Sequence, residues 1–364
     1  MLIILGFAVL GLAWWFFFRP SAQRRRPAGA RRARPDAPFG AATRRPAQLV
    51  LGPPVVDAVI EMTGVSKSYG RGDRHRLALD RLDLSVPQGE VFGLLGRNGA
   101  GKTTAMRCML GLVRPTAGTC RILGADSGGD LHRVIDRVGA LIETPGLTPS
   151  LSGRRNLLLL ARLERMGRNE VGRALATVGL AEQADDAVAT YSLGMRQRLG
   201  IAATLLRDPE LLILDEPANG LDPAGIAEIR DLLVGLAGKG RTVVVSSHQL
   251  AEAERICDRI AVIEAGRCVA VGPIGDVLAT AGAGALIVRV ADLEVARGAL
   301  AAAGIDSAVS RGALRVACTP ADGARITEIL AAKGLYVSEM RPVRPTLEAA
   351  FLGLTSPATS VRDD

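Results

Sequence analysis

The stretch Gly96-Arg97-Asn98-Gly99-Ala100-Gly101-Lys102-Thr103, entered directly from the apolar run Val91 to Leu95, decides how this chain folds. A short, unbroken apolar run reads as a fully buried strand. The glycines after it let the backbone curl so that successive N–H groups face inward on an anion. The helix that follows, expected over about Gly101 to Leu112, adds the positive end of its dipole. Strand, glycine-rich loop and helix in that order make a cradle for polyphosphate, built from Gly96, Asn98, Gly99, Ala100, Gly101, Lys102, Thr103 and Thr104. Lys102 reaches the β- and γ-phosphates, and the Thr103 hydroxyl suits Mg²⁺. The expectation is a nucleoside triphosphate site on a P-loop α/β fold.

A second element narrows the chemistry. Leu211-Leu212-Ile213-Leu214 reads as a buried strand, and Asp215-Glu216-Pro217 ends it in adjacent carboxylates. Successive strand residues point to opposite faces, but past the strand end the second can swing towards the nucleotide. Asp215 suits a grip on Mg²⁺, direct or through water. Glu216 suits a general base that orients the attacking water. Between the loop and this strand lies Tyr191-Ser192-Leu193-Gly194-Met195-Arg196-Gln197-Arg198, followed by an apolar-periodic helix from Leu199 to Leu206. Alone, Ser192 there is an N-cap.

With all three elements in order the sequence resembles the ATP-binding cassette (ABC) ATPases, over roughly Val59 to Leu278. The resemblance implies ATP and Mg²⁺ as ligands and a homodimer in which Ser192 and Gly194 meet the γ-phosphate held by a second copy. It implies that Tyr69, in Ser66-Lys67-Ser68-Tyr69-Gly70, stacks on adenine, and that Gly220-Leu221-Asp222 communicates across the dimer, Asp222 touching the nucleotide. His248, closing the apolar run Val243-Val244-Val245-Ser246-Ser247, matches the family's switch histidine and would bond the γ-phosphate. His75 and His132 lie in polar stretches and read as surface residues.

One position departs from the family pattern. After an expected strand Val138 to Ile142, the usual residue is a Gln that touches Mg²⁺ and the water and couples to the membrane subunit. Here it is Glu143, in Leu141-Ile142-Glu143-Thr144-Pro145-Gly146-Leu147. Glu143 is expected to keep that metal-binding, catalytic and coupling role with an altered dependence on Mg²⁺. This segment, with Ala218-Asn219-Gly220-Leu221-Asp222-Pro223-Ala224-Gly225, is similar to the ATPases of bacterial exporters related to bacitracin and lantibiotic resistance. Their membrane subunits are of the ABC-2 type. A helical segment near Leu151 to Met166 would contact such a permease.

The ends of the chain carry separate signals. Leu2 to Phe18 is 17 residues without a charge, near the lower limit of about 17 for a bilayer span. Nine arginines against Asp36 give +8 between residues 19 and 46; the 364-residue chain is also +8, so residues 47–364 are formally neutral. The basic balance therefore belongs to a juxtamembrane tether for lipid headgroups, and no nucleic-acid partner is expected. Positive charges after the apolar run put the arginines on the cytoplasmic face of the bacterial plasma membrane and fit a cleaved signal poorly. A monotopic anchor, and an extension from a misassigned start, remain open alternatives. The expected layout is an anchor (1–18), a basic disordered linker (19–56), the cassette (57–282), an accessory α+β domain (283–354) and a tail (355–364).

In the accessory part, Ala285–Val290, Asp306–Val309, Leu314–Ala317 and Leu335–Met340 read as strands. Leu293–Ala303 and Ala321–Lys333 read as helices, giving the ferredoxin-like order βαββαβ. A last helix is expected from Pro345 to Leu352. Five scattered cysteines without CxxC spacing argue against zinc or a disulfide framework. Two rivals to an exporter ATPase stay in view: a tethered regulatory or sensory ATPase, and a soluble ATPase acting on translation or DNA. The second requires duplicated motifs or a long coiled-coil insertion. Each motif occurs once here, and only 89 residues separate Lys102 from Tyr191.

Overall fold

The computed structural model describes residues 48–53, 55–70, 76–143, 145–281, 284–318, 320–343 and 345–355. The expected anchor, His75, most of the basic linker with all nine of its arginines, and the tail beyond Thr355 lie outside them. Among the described residues no helix is long and apolar enough to cross a membrane.

The main sheet has seven strands in the order β1 (Leu49–Val50), β11 (Arg267–Pro273), β10 (Arg259–Glu264), β4 (Val91–Leu95), β9 (Thr242–Ser247), β8 (Leu211–Leu214) and β7 (Val138–Leu141). From β10 to β7 every neighbouring pair is parallel. Strands of a parallel sheet are covered on both faces and read as continuous apolar runs; β4 and β8 are buried at every residue. The register aligns Leu95 with Ser247, Leu214 with Val245, and Leu141 with Leu214. The segments leaving β4, β7, β8 and β9 therefore emerge at one edge, the carboxyl end, where open α/β sheets bind ligands.

A second, antiparallel sheet runs β3 (Arg76–Pro87), β2 (Ala58–Tyr69), β5 (Ala117–Ile122) and β6 (Ala125–Asp126). Helix α1 (Lys102–Met109) lies against both, burying Ala105, Met106, Cys108 and Met109 in a core shared with Ile60, Leu79, Phe92 and Ile213. On the other face of the main sheet, α4 (Leu193–Thr204) and α5 (Pro223–Ala237) bury Leu199, Ile201, Ile229 and Leu233.

The helical segment is a pair, α2 (Gly153–Leu163) and α3 (Arg168–Thr177). The Ser152 hydroxyl caps α2, accepting from the Arg155 N–H at 3.2 Å. The side chain of buried Asn156 clasps the preceding loop: its Oδ1 accepts from the Thr148 N–H at 2.7 Å, and its Nδ2 faces the carbonyls of Thr148, Leu151 and Ser152 at 3.0–3.3 Å. Asn156→Ala leaves the Thr148 N–H without this acceptor, and chemical denaturation is expected to show a loss of about 2–3 kcal/mol.

Beyond α6 (Leu250–Ile256) and α7 (Ile274–Ala279), the chain forms β12 (Ala285–Arg289), α8 (Leu293–Ala302), β13 (Ser307–Ser310), β14 (Ala313–Ala317), α9 (Gly323–Ala331) and β15 (Glu339–Val343). Its antiparallel sheet has the order β13-β14-β12-β15, over a separate core of Leu286, Val288, Leu300, Leu314, Ile326 and Leu330. Helix α10 (Leu347–Thr355) returns to the main core, burying Leu347, Ala350 and Phe351.

Several elements differ from the sequence expectation. Residues 49–50, read as linker, are a strand, because Leu49 and Val50 extend the sheet edge opposite Ala270 and Val271. The last accessory strand is Glu339–Val343, not Leu335–Met340. Leu335 and Val337 alternate like a strand but pack as irregular chain against the small core. Pro342, which discourages a strand assignment, is tolerated because β15 is an edge strand. Helix α1 is shorter than expected, ending at Met109 ahead of Gly111 in the left-handed region. Helix α4 starts at Leu193, directly after the N-cap Ser192 and six residues ahead of the apolar-periodic stretch from Leu199.

All five cysteines are unpaired. Burial pushes the thiols of Cys120, Cys257 and Cys268 up to about 12, which keeps them protonated and inert.

Candidate nucleotide site

The loop after β4 is held in a shape that requires glycine. At Gly96 a Cβ would stand 2.3 Å from the Ile263 carbonyl. At Gly101, with φ +115°, it would stand 2.7 Å from that of Ala78. Gly101 is the N-cap of α1, with no side chain to occupy the helix's first N–H groups, so they are left for an anion.

A groove of about 370 Å³ lies along this loop, lined by Tyr69, Arg76, Ala78, Asn98 to Thr104 and Glu216. Its charged floor is a continuous chain of contacts. The buried Lys102 Nζ donates to the Gly96 carbonyl at 2.7 Å and lies 3.4 Å from Glu216 Oε1. The other oxygen of Glu216 is 2.8 Å from His248 Nδ1. Glu216 is thus held between a cation and an imidazole. Its backbone, at φ +47°, sits in the left-handed region that non-glycine residues rarely adopt. This is the turn that swings the second carboxylate out of the strand's alternation and onto the nucleotide side.

Beside it, Thr103 Oγ1 donates to Asp215 Oδ2 at 2.8 Å. Two hard oxygens at that separation, next to a phosphate cradle, fit Mg²⁺, which takes one or two protein oxygens and completes its shell with phosphates and water. Ser246 ties the Asp215 carboxylate to the Glu216 backbone. Its hydroxyl donates to Asp215 Oδ1 and accepts from the Glu216 N–H at 2.8 Å. Sequence reasoning missed Ser246, although it stands two residues before His248 on the strand paired with β8.

Tyr69 lines the groove, half-exposed, with Lys67 Nζ 5.1 Å from its ring centroid, in cation–π range. Arg76 is a second residue that the sequence reading missed: its guanidinium passes 3.6 Å from where a Cβ on Gly99 would stand. No motif marks it; only folding brings the start of β3 over the loop.

Of the residues expected to touch nucleotide, Gly96, Ser192, Gly194, Asp222 and His248 do not line this groove, although Gly96 and His248 bond Lys102 and Glu216, which do. Ser192 caps α4, accepting from the Met195 N–H at 3.2 Å, and Asp222 caps α5, accepting from the Gly225 N–H at 2.9 Å. Leu193 lies against Gly220, and Leu221 is the neighbour nearest to Gly194, so these two segments form one surface.

Glu143 follows β7, at φ +72°. It shares a larger cavity of about 540 Å³ with Asp215, Glu216, Pro145, Leu193 and Arg196. Its carboxylate is paired with Arg107 of α1.

Fold and site together define the P-loop nucleoside triphosphatase class: a glycine-rich loop after a buried strand, its lysine at the loop, and adjacent carboxylates at the end of a neighbouring strand. Comparison narrows this class. The ABC transporter family model matches residues 79–219. The chain is 46% identical to the bacitracin transport ATP-binding protein BcrA of Enterococcus faecalis over 217 residues, which covers 59% of this chain and 69% of that protein. It is 36% identical to the daunorubicin resistance ATP-binding protein DrrA3 of Streptomyces coeruleorubidus, across 85% of this chain and 99% of that one. Among solved structures it resembles the dimeric post-hydrolysis state of the cassette MJ0796 bound to ADP and Pi. That match has a TM-score of 0.53 and 25% identity, over 59% of this chain and 98% of the other. The chain belongs to the ATP-binding proteins of ABC transporters, and it is an ATPase.

Proposed function

We propose that this protein is the ATP-hydrolysing subunit of an ABC-2-type exporter, working as a homodimer that closes on two ATP and drives a separate membrane permease. The observation that carries the reading is the contact chain Lys102–Glu216–His248 beside Thr103 and Asp215. ATP entering the cradle offers Lys102 phosphate oxygens in place of Glu216 and the Gly96 carbonyl. Glu216, released from the lysine, accepts a proton from the attacking water, while His248 holds its other oxygen and reaches the γ-phosphate. Mg²⁺, gripped by Thr103 and Asp215, would neutralise charge on the transferred phosphoryl group. Tyr69 would stack on adenine, and Ser192 and Gly194 would close the site of the second copy from a helix N-terminus.

The efflux reading is supported by relatives such as BcrA, named for bacitracin transport, and the Nod factor export ATP-binding protein I of Rhizobium leguminosarum, 39% identical over 217 residues. Exposed Leu159 and Leu163, one turn apart on α2, suit a permease contact, and Glu143 would couple that face to the nucleotide. The unit from β12 to β15 is assigned a packing or regulatory role as a ferredoxin-like accessory domain. The N-terminal 18 residues are assigned to a transmembrane anchor, with the arginines on the cytoplasmic face. The test is to tag full-length Glu216→Gln, solubilise membranes with Mg·ATP, and identify what co-purifies. A stoichiometric polytopic membrane protein is expected. Recovery of the chain alone, from the soluble fraction, would contradict both the transport reading and the anchor.

A further inference from the structure

We infer that Arg107, in the last turn of the phosphate-loop helix, is a positioning residue that holds and neutralises Glu143, so that a carboxylate can stand at the end of β7 beside a bound triphosphate. The inference rests on the proposed reading of Glu143 as part of the nucleotide site.

Strands β7 and β8 are parallel neighbours in register at Leu141 and Leu214, and the Asp215 N–H bonds the Leu141 carbonyl at 2.8 Å. The chains leaving them consequently run side by side, and Glu143, Asp215 and Glu216 line one cavity. Three carboxylates there face a ligand that is itself a polyanion. Asp215 has Thr103 and Ser246 as donors, and Glu216 has Lys102 and His248. Among the described residues, the side-chain partner of Glu143 is Arg107 alone.

Two further features mark the pair as constructed. Glu143 adopts φ +72°, a conformation that persists in a glutamate only where the surroundings impose it. Arg107 projects from the carboxyl-terminal turn of α1, where the helix dipole favours a cation. The pair ties the helix behind the phosphate loop to the segment that leads through Pro145 and Leu147 to α2. An unpaired charge in a half-exposed site beside a bound polyanion changes binding on the order of tenfold. A neutral Gln at this position needs no such partner; Glu143 does.

The experiment is an equilibrium titration with a fluorescent ribose-modified ATP and its ADP counterpart, both with Mg²⁺. It uses full-length wild type, Arg107→Ala, Arg107→Lys, Glu143→Gln and the double variant Arg107→Ala/Glu143→Gln. Arg107→Ala is expected to raise the Kd for the ATP analogue about tenfold, with a smaller change for ADP, which lacks the γ-phosphate. Removing the carboxylate as well should restore binding to the level of Glu143→Gln alone. A double variant as weak as Arg107→Ala, or an Arg107→Ala that binds like wild type, overturns the inference. Should Arg107→Ala not fold, Arg107→Lys decides: it keeps the charge and should bind within about threefold of wild type, and a tenfold loss contradicts the electrostatic account. Hydrolysis by Glu143→Gln is a separate readout. Unchanged hydrolysis there removes Glu143 from the reaction, whatever the binding titrations say of Arg107.

Discussion

Glu216→Gln is expected to lower ATP turnover by at least about a hundredfold while nucleotide stays bound, since a positioned general base contributes roughly 10²–10⁴. The change is isosteric and keeps an oxygen for the His248 contact, but it removes the group that accepts the proton. It also removes the anion lying 3.4 Å from Lys102 Nζ, so the lysine meets phosphate without first giving up an ion pair. Binding should be preserved or tightened, and the closed dimer should persist where wild type reopens. The checks are phosphate release under saturating ATP and size-exclusion chromatography with and without Mg·ATP. Near-wild-type turnover would remove Glu216 from the reaction.

Lys102→Ala is expected to fail one step earlier, at binding. The ammonium is almost wholly buried, bonded to the Gly96 carbonyl and close to Glu216, and substrate phosphates are what it would bond in place of both. Hydrogen bonds from a charged donor are worth about 1.5–3 kcal/mol each. Losing one or two of them should weaken ATP binding about a hundredfold. In addition, Glu216 loses the cation beside it and stands as an uncompensated anion on the floor of the groove. Isothermal titration with ATP checks this, and an affinity within about threefold of wild type would contradict the role assigned to Lys102.

The parts of the site legible in the sequence were those carried by strand ends. Val91–Leu95 and Leu211–Leu214 are apolar at every residue or nearly so, and the loop or acids after each can only lie at the sheet edge. His248 was legible for the same reason. The residues that the sequence hid depend on register and on loops meeting from distant segments. Ser246 joins Asp215 to Glu216 only because β9 pairs with β8. Arg76 reaches the loop only because β3 passes across it, and Arg107 meets Glu143 only because the chain leaving β7 comes to the last turn of α1. The start of accessory strand β15 is not legible, because Leu335 and Val337 carry a strand-like alternation into chain that packs without pairing. The short β1 was missed because two residues give no period to read.

The central claim is that one chain holds two halves of different sites, with Lys102 and Glu216 on one surface and Ser192 and Gly194 on another. It is tested most directly by mixing two inactive proteins. Lys102→Ala keeps an intact surface around Ser192, while Ser192→Arg keeps an intact phosphate cradle. If the site is completed by a second copy, each variant alone should be inactive, and the mixture should regain ATP hydrolysis through mixed dimers that contain one whole site. A mixture as inactive as its components, or full activity of Ser192→Arg alone, would mean that the site is complete within a single chain.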